Sequence, residues 1–162
     1  MNKYDETMLA TAKLFGELSY CTKAKVGAVI AKDGRILATG YNGTISGQSN
    51  ECEIMRPCDN CMGRGKFLES GKSGKCSKCN GKGIRLYTSP FTVHAEQNVI
   101  SYCAKNGIAT DGATMYITLS PCSLCAKLIA QSGIKRVVYL DNYKDTSGLD
   151  FLQQCGVQVC QY

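Results

Sequence analysis

Apolar positions recur at three- and four-residue spacings at the start of the chain, through Met8, Leu9, Ala12, Phe15 and Leu18. This predicts an amphipathic helix over residues 5–19. Two apolar-rich runs follow, Lys25 to Ala31 and Arg35 to Tyr41, separated by Lys32-Asp33-Gly34. An Asp-Gly pair between such runs predicts a β-hairpin with a tight turn. The next stretch, Tyr41 to Gly47, is built from residues that tolerate unusual backbone angles and offer polar groups, so it reads as a loop. From about residue 50 to residue 86 the apolar periodicity disappears and Gly, Lys and Cys take over. That segment reads as an insertion, centred on about 52–84, with its own stabilising device. Periodicity then returns: a helix from His94 to Lys105, a strand from Ala113 to Thr118, a helix from Pro121 to Gln131 closed by Gly133, a strand from Lys135 to Leu140, a helix from Ser147 to Gln154 and a strand from Val157 to Cys160. Strands alternating with helices of this length imply an α/β architecture, a largely buried sheet with crossover connections and helices on its faces.

At 162 residues the chain has room for one domain with a real core, so we read 1–162 as a single domain carrying the insertion. Its 44% apolar and 20% charged residues exclude a disordered or collagen-like chain. No run approaches the ~18 apolar residues of a membrane span, so no membrane partner is expected. The polar start, Met1-Asn2-Lys3-Tyr4-Asp5-Glu6, leads straight into helical periodicity and does not read as a secretory signal, which places the protein in the cytoplasm. A formal charge of +6 suits an anionic ligand, although Lys66, Lys72, Lys75, Lys78 and Lys82 crowd into the glycine-rich stretch, where they also serve solubility.

Eleven cysteines in a cytosolic chain point to metal ligation rather than to a disulfide framework. Three C-x-x-C pairs are present: Cys58/Cys61, Cys76/Cys79 and Cys122/Cys125. Cys103, Cys155 and Cys160 fall in apolar surroundings and read as small buried hydrophobes. Cys21 and Cys52 are left as members of a further site or as plain thiols.

His94-Ala95-Glu96 and Pro121-Cys122-Ser123-Leu124-Cys125, with Cys122 26 residues after Glu96, resemble the H-x-E and P-C-x-x-C signature of zinc-dependent nucleobase deaminases. The chemistry can be rebuilt from the residues. Ser120 as N-cap and Pro121 as first helical residue would put Cys122 and Cys125 in the opening turn of a helix, on neighbouring positions, where the helix dipole favours thiolates. His94 would open the other helix, with Thr92 as its N-cap. Three protein ligands leave the fourth tetrahedral position for water, whose pKa zinc lowers to roughly 7. Zinc-bound hydroxide then attacks C4 of cytosine, and Glu96, which is not a ligand, moves the protons to N3 and to the departing ammonia. A histidine on a helix is ordinarily a polar or core residue, and a lone C-x-x-C is ordinarily a structural or redox pair. Here the single histidine of the chain, the spaced glutamate and the proline before the cysteines occur together.

The pairs Cys58/Cys61 and Cys76/Cys79, separated by fourteen residues, lie in two copies of C-x-x-C-x-G-x-G. The glycines allow tight turns whose amides point at sulfur, and four thiolates make a closed structural zinc site in place of the core that the insertion lacks. The pattern is similar to the cysteine-rich modules of Hsp40 chaperones. A basic knuckle for nucleic acid or a client peptide is the other reading, with Phe67 and Tyr87 as its nearby aromatics.

Outside the insertion the chain resembles the deoxycytidylate deaminases, the bacteriophage-encoded form especially. The resemblance rests on residues 21–29, Gly40-Tyr41-Asn42-Gly43, residues 94–98, 118–122 and 130–135, and Asp145-Thr146-Ser147-Gly148, and extends over around 130 residues. It implies a three-layer α-β-α cytidine deaminase fold with a five-stranded mixed sheet, and hydrolysis of dCMP to dUMP and ammonia for thymidylate synthesis. It further implies a homohexamer in the cytoplasm (of the host, for a viral protein), activated by dCTP with Mg2+ and inhibited by dTTP between subunits. By the same resemblance Asn42, Ala95, Lys23 and Tyr143 meet the substrate, and Lys25, Asn42, Gly43 and Gly47 the effector. Two positions depart from the family pattern: Gln97, where methionine or leucine is usual, and Lys105, where some relatives have arginine. The insertion replaces a segment that in some phage relatives supplies histidines to a second zinc.

Two other functions compete. A deaminase acting on cytosine or adenine within a nucleic acid needs a basic and aromatic strand channel, whereas the Asn/Gly loop here suits one nucleotide. A non-catalytic, zinc-stabilised binding module has no use for Glu96.

Overall fold

A computed structural model describes residues 3–69 and 72–162; Met1 and Asn2 of the polar start lie outside them, as do the side chains of Phe67 and Lys72. The elements, in order, are α1 (Asp5–Gly16), β1 (Gly27–Lys32), β2 (Arg35–Tyr41), β3 (Gly43–Thr44), β4 (Glu53–Pro57), β5 (Lys66–Glu69), β6 (Lys72–Lys75), β7 (Ile84–Thr88), β8 (Thr92–Val93), α2 (Ala95–Lys105), β9 (Thr114–Leu119), α3 (Ser123–Gln131), β10 (Arg136–Asp141), α4 (Ser147–Gln154) and β11 (Gln158–Gln161), with a short 3-10 turn at Asp59–Cys61. Among the described residues no helix is long and apolar enough to cross a membrane.

The main sheet has five strands in the order β11-β10-β9-β1-β2. It is mixed: β1 runs antiparallel to β2 and β9, while β9, β10 and β11 are parallel. The two-residue side-chain period sorts the strands onto two faces. Ala28, Ile30, Met115, Ile117, Val137 and Tyr139 pack with Val99, Ile100, Ile129 and Leu152 of α2, α3 and α4. Val29, Ala31, Tyr116 and Val138 meet Met8, Leu9 and Ala12 of α1 on the other face. This is the α-β-α layering expected from the sequence.

The Asp33-Gly34 hairpin is present, with both residues at positive φ (51° and 74°) as a tight two-residue turn requires. Two boundaries shift for physical reasons visible in the structure. Helix α1 stops at Gly16, before Ser19, because the chain there closes against Gly27, where a side chain would overlap the Ala12 carbonyl; Leu18, counted in the apolar spacing, is exposed. Strand β1 begins at Gly27 rather than Lys25, since the Asn42 side chain takes the place of a strand neighbour: its Oδ1 accepts from Val26 N–H at 2.8 Å and its Nδ2 donates to the Ala24 carbonyl at 2.8 Å. The loop over residues 41–47 contains the short β3, which pairs with β8.

Between β3 and β8 the chain leaves the main sheet. Strands β4 and β7 pair as an antiparallel ribbon from Glu53↔Thr88 to Pro57↔Ile84, and β5 and β6 form a second one, Lys66↔Lys75 to Glu69↔Lys72. The buried cluster at the end of the first ribbon consists of four cysteines alone.

Candidate active site

Helices α2 and α3 both begin at the site. His94 is itself the N-cap of α2, with extended backbone, and Cys122 is the N-cap of α3. This corrects the expectation that Thr92 and Ser120 cap these helices. Thr92 lies in β8 and its hydroxyl donates to the Cys52 carbonyl, while Ser120 Oγ accepts from Tyr143 N–H at 2.7 Å. Gln97 now has a purpose: its Oε1 accepts the His94 N–H at 2.8 Å, the reciprocal half of a capping box, which fixes the ligand histidine's backbone. Gly148, where a side chain would overlap the Pro121 carbonyl, lets α4 close against the chain leading to Cys122.

These starts bring His94 Nδ1 to 3.7 Å from Cys122 Sγ and 3.3 Å from Cys125 Sγ. Zinc bonds of about 2.0 Å to nitrogen and 2.3 Å to sulfur in a tetrahedron require N···S separations near 3.5 Å, so the donor set fits a single zinc ion. Glu96 is buried beside it, its carboxyl interacting with Cys125. Burial pushes the Glu96 carboxyl above its ordinary range, against the opposing influence of its own backbone amide and of His94. A carboxyl so placed takes up a proton more readily than a solvated glutamate, as suits a shuttle.

A pocket of about 180 Å³ opens onto these residues. His94, Ala95, Glu96 and Cys122 line it together with Lys23, Asn42 and Tyr143, so all four expected substrate contacts border one cavity. With one Asn42 donor and one acceptor spent on the Ala24 and Val26 backbone, one of each remains for a ligand. Cys21, Glu53, Thr88 and Ser120 also line the pocket, and the sequence reading did not place them there. The residues expected to hold an effector are not gathered in the same way. Lys25 lines a pocket with Lys13 and Asp141, Gly43 lines another with Tyr20 and Thr44, and Gly47 lines neither.

The insertion's four cysteines converge as a second centre. Cys58 and Cys76 sulfurs are 3.9 Å apart and those of Cys61 and Cys79 3.7 Å, close to the roughly 3.8 Å edge of a tetrahedron with zinc–sulfur bonds of about 2.3 Å. The two repeats clasp each other reciprocally: Cys58 N–H donates to the Gly83 carbonyl, and Cys76 N–H to that of Gly65, both at 2.8 Å. Gly65 and Gly83, at φ of 71° and 74°, turn their amides onto Cys61 and Cys79 at 3.2 and 3.3 Å, and any side chain at either glycine would strike the opposite repeat. Burial disfavours thiolates here and pushes Cys61 up to about 11; at Cys76 the Asn60 amide and the Cys79 and Lys78 backbone outweigh burial and bring the thiol down to about 6. Four buried sulfurs with amide donors aimed at them suit a divalent cation, which would neutralise the crowded thiolates.

Cys21 and Cys52, left open above, are joined to each other in a disulfide, so neither is available as a metal ligand. Their pairing spans 31 residues and depends on where the insertion's root falls. The formal charge is also uneven: residues 54–86 hold eight basic and two acidic side chains, and the rest of the chain eleven of each.

Residues 2–141 match the family described as the cytidine and deoxycytidylate deaminase zinc-binding region. The deoxycytidylate deaminase of Enterobacteria phage T4 is 40% identical over 167 residues, covering 94% of this chain and 86% of that one. ComE operon protein 2 of Bacillus subtilis is 33% identical, over 98% of this chain and 70% of its own length. Among solved structures, a dCMP deaminase from cyanophage S-TIM5 in complex with dCMP and dUMP superposes with a TM-score of 0.77 at 38% identity, covering 100% of this chain and 99% of that one.

Proposed function

The chain belongs to the cytidine and deoxycytidylate deaminase family, and from that premise we propose that it hydrolyses dCMP to dUMP and ammonia as a single deaminase domain, residues 1–162. One observation carries the reading: an imidazole nitrogen and two sulfurs converge on a common point beside a pocket lined by His94, Cys122 and the buried Glu96. Zinc held by His94, Cys122 and Cys125 would supply Lewis-acid activation of water near neutral pH.

The remaining work falls to the chain's own groups. Glu96 takes a proton from the attacking water and passes it to N3 of the base as the oxygen adds to C4. It then takes the remaining proton from the oxygen now on C4 and delivers it to the exocyclic nitrogen, the C4–N bond breaks, and ammonia leaves with the carbonyl of uracil formed. The Ala95 backbone at the start of α2 holds the base edge, Asn42 offers its free donor and acceptor to the sugar, and Lys23 and Tyr143 meet the phosphate. Cys58, Cys61, Cys76 and Cys79 hold a structural zinc. The protein works in the cytoplasm, of the host if it is viral, supplying dUMP for thymidylate synthesis. Regulation by dCTP with Mg2+ and by dTTP belongs to the same reading. In that reading Lys25, Asn42, Gly43 and Gly47 contact the effector at a site between subunits of a homohexamer.

Incubation of purified protein with dCMP, dCTP, deoxycytidine and a cytosine-bearing oligonucleotide, with ammonia release as readout, tests the substrate. dCMP is expected to be turned over fastest, and activity confined to the oligonucleotide would reject the proposal. Metal analysis is expected to find two zinc equivalents per chain. Cys58→Ser should remove one of them and keep ammonia release from saturating dCMP within a few-fold; unchanged metal content would reject the four-cysteine centre.

A further inference from the structure

The insertion reaches the active site through the first rung of its own ribbon. Glu53 and Thr88 sit directly opposite each other where β4 and β7 begin to pair, and both line the pocket. Glu53 grips the segment that carries Lys23: one carboxylate oxygen accepts from Thr22 N–H and from the Thr22 hydroxyl, each at 3.0 Å, and the other from Lys23 N–H at 3.2 Å. Thr88 Oγ1 accepts from Lys23 Nζ at 3.2 Å. One rung therefore fixes both ends of the lysine, its backbone and its ammonium. Immediately before the rung, the Cys21–Cys52 disulfide joins the same two segments. These bonds to the carboxylate hold Glu53 below its ordinary range although burial works the other way, consistent with an ionised clamp.

We propose that Glu53 and Thr88 are positioning residues for phosphate recognition, so that the cysteine-rich insertion is a working wall of the substrate site. The inference rests on the reading of Lys23 as a phosphate contact. An exposed lysine is a flexible, strongly hydrated point charge, and holding it in its bound geometry before the ligand arrives removes an ordering cost from binding. Glu53 is an anion at the mouth of a site for another anion. By charge alone it repels the phosphate, and its removal would tighten binding. As a clamp it does the opposite. The sign of the effect thus separates the two roles.

Glu53→Gln replaces one acceptor oxygen with a donor that cannot face the N–H groups of residues 22 and 23. It is expected to raise KM for dCMP at least fivefold with kcat within twofold, and to raise the inhibition constant of dUMP in parallel while that of deoxyuridine, which lacks the phosphate, stays within twofold. A KM equal to or below that of the parent, with Lys23→Ala still raising it, overturns the clamp and leaves the phosphate reading intact. A Lys23→Ala variant with unchanged KM overturns both. If Glu53→Gln loses zinc or melts early, the Thr88 pair decides. Thr88→Ser keeps the hydroxyl and should match the parent within twofold, whereas Thr88→Val should raise KM at least threefold, and equal values for the two overturn the proposal.

Discussion

Glu96→Gln is expected to stop turnover while leaving the metal content untouched. The substitution preserves shape at a buried position, so the His94, Cys122 and Cys125 donor set should still assemble at separations of 3.3–3.7 Å. What disappears is a group able to accept and release a proton. A positioned acid–base residue contributes roughly 10²–10⁴-fold, and because Glu96 serves both transfers, to N3 and to the leaving nitrogen, the loss in kcat should lie toward the upper part of that range. KM should change little, because the amide still fills the space beside Ala95. The measurement pairs zinc analysis with ammonia release at saturating dCMP. A variant that keeps its zinc and more than a tenth of parent kcat would reject Glu96 as the shuttle, and one that loses zinc would show the carboxylate supporting the metal site instead.

The convergence of the candidate site was legible in the sequence because its parts are local. His94, Glu96 and the Cys122/Cys125 pair announce themselves by spacing within two helix starts, and the Asp33-Gly34 turn announces its hairpin, because each depends on residues a few positions apart. The caps were misplaced by a small step with a clear cause. Ser120 is a good capping residue in isolation, but its hydroxyl is occupied by the Tyr143 amide, 23 residues away, and Cys122 takes the cap position. Gln97, a departure from the family pattern, is explained by its Oε1, which accepts from His94 N–H. Glu53, Thr88 and the Cys21–Cys52 bond could not be read in advance. Their roles arise where an aperiodic insertion returns to the body, and no local periodicity encodes which rung of a ribbon will meet a loop 30 residues earlier. The fold's alternating apolar strands were visible; the polar ties across long separations were not.

The strongest of those ties lies on the other face of the sheet, and its removal should cost the protein much of its stability. Asp5, the first residue of α1, is fully buried, and Arg136 at the start of β10 grips its two oxygens at 2.7 and 2.8 Å. Tyr116 donates its hydroxyl to the same carboxylate at 3.1 Å, and burial together with that carboxylate pushes the phenol up, keeping it protonated as a donor. The carboxylate in turn raises the guanidinium of Arg136. Asp5→Ala leaves a largely buried guanidinium without its counter-charge, which costs about 3–5 kcal/mol. Against a total stability of roughly 5–15 kcal/mol, this should lower the melting temperature by roughly 6–20 °C for a chain of this size. Activity per folded molecule at 25 °C should be unchanged, since α1 packs on the sheet face opposite α2 and α3. A fall of less than 3 °C would mean that the pair is offset by its own desolvation. The double variant Asp5→Leu with Arg136→Met tests the origin of the loss. If the single variant suffers from an orphaned charge, the apolar pair should recover most of the lost melting temperature. If the double variant melts as low as Asp5→Ala, the network contributes through its directed bonds to Tyr116 and the helix start, and these hold α1 against the sheet.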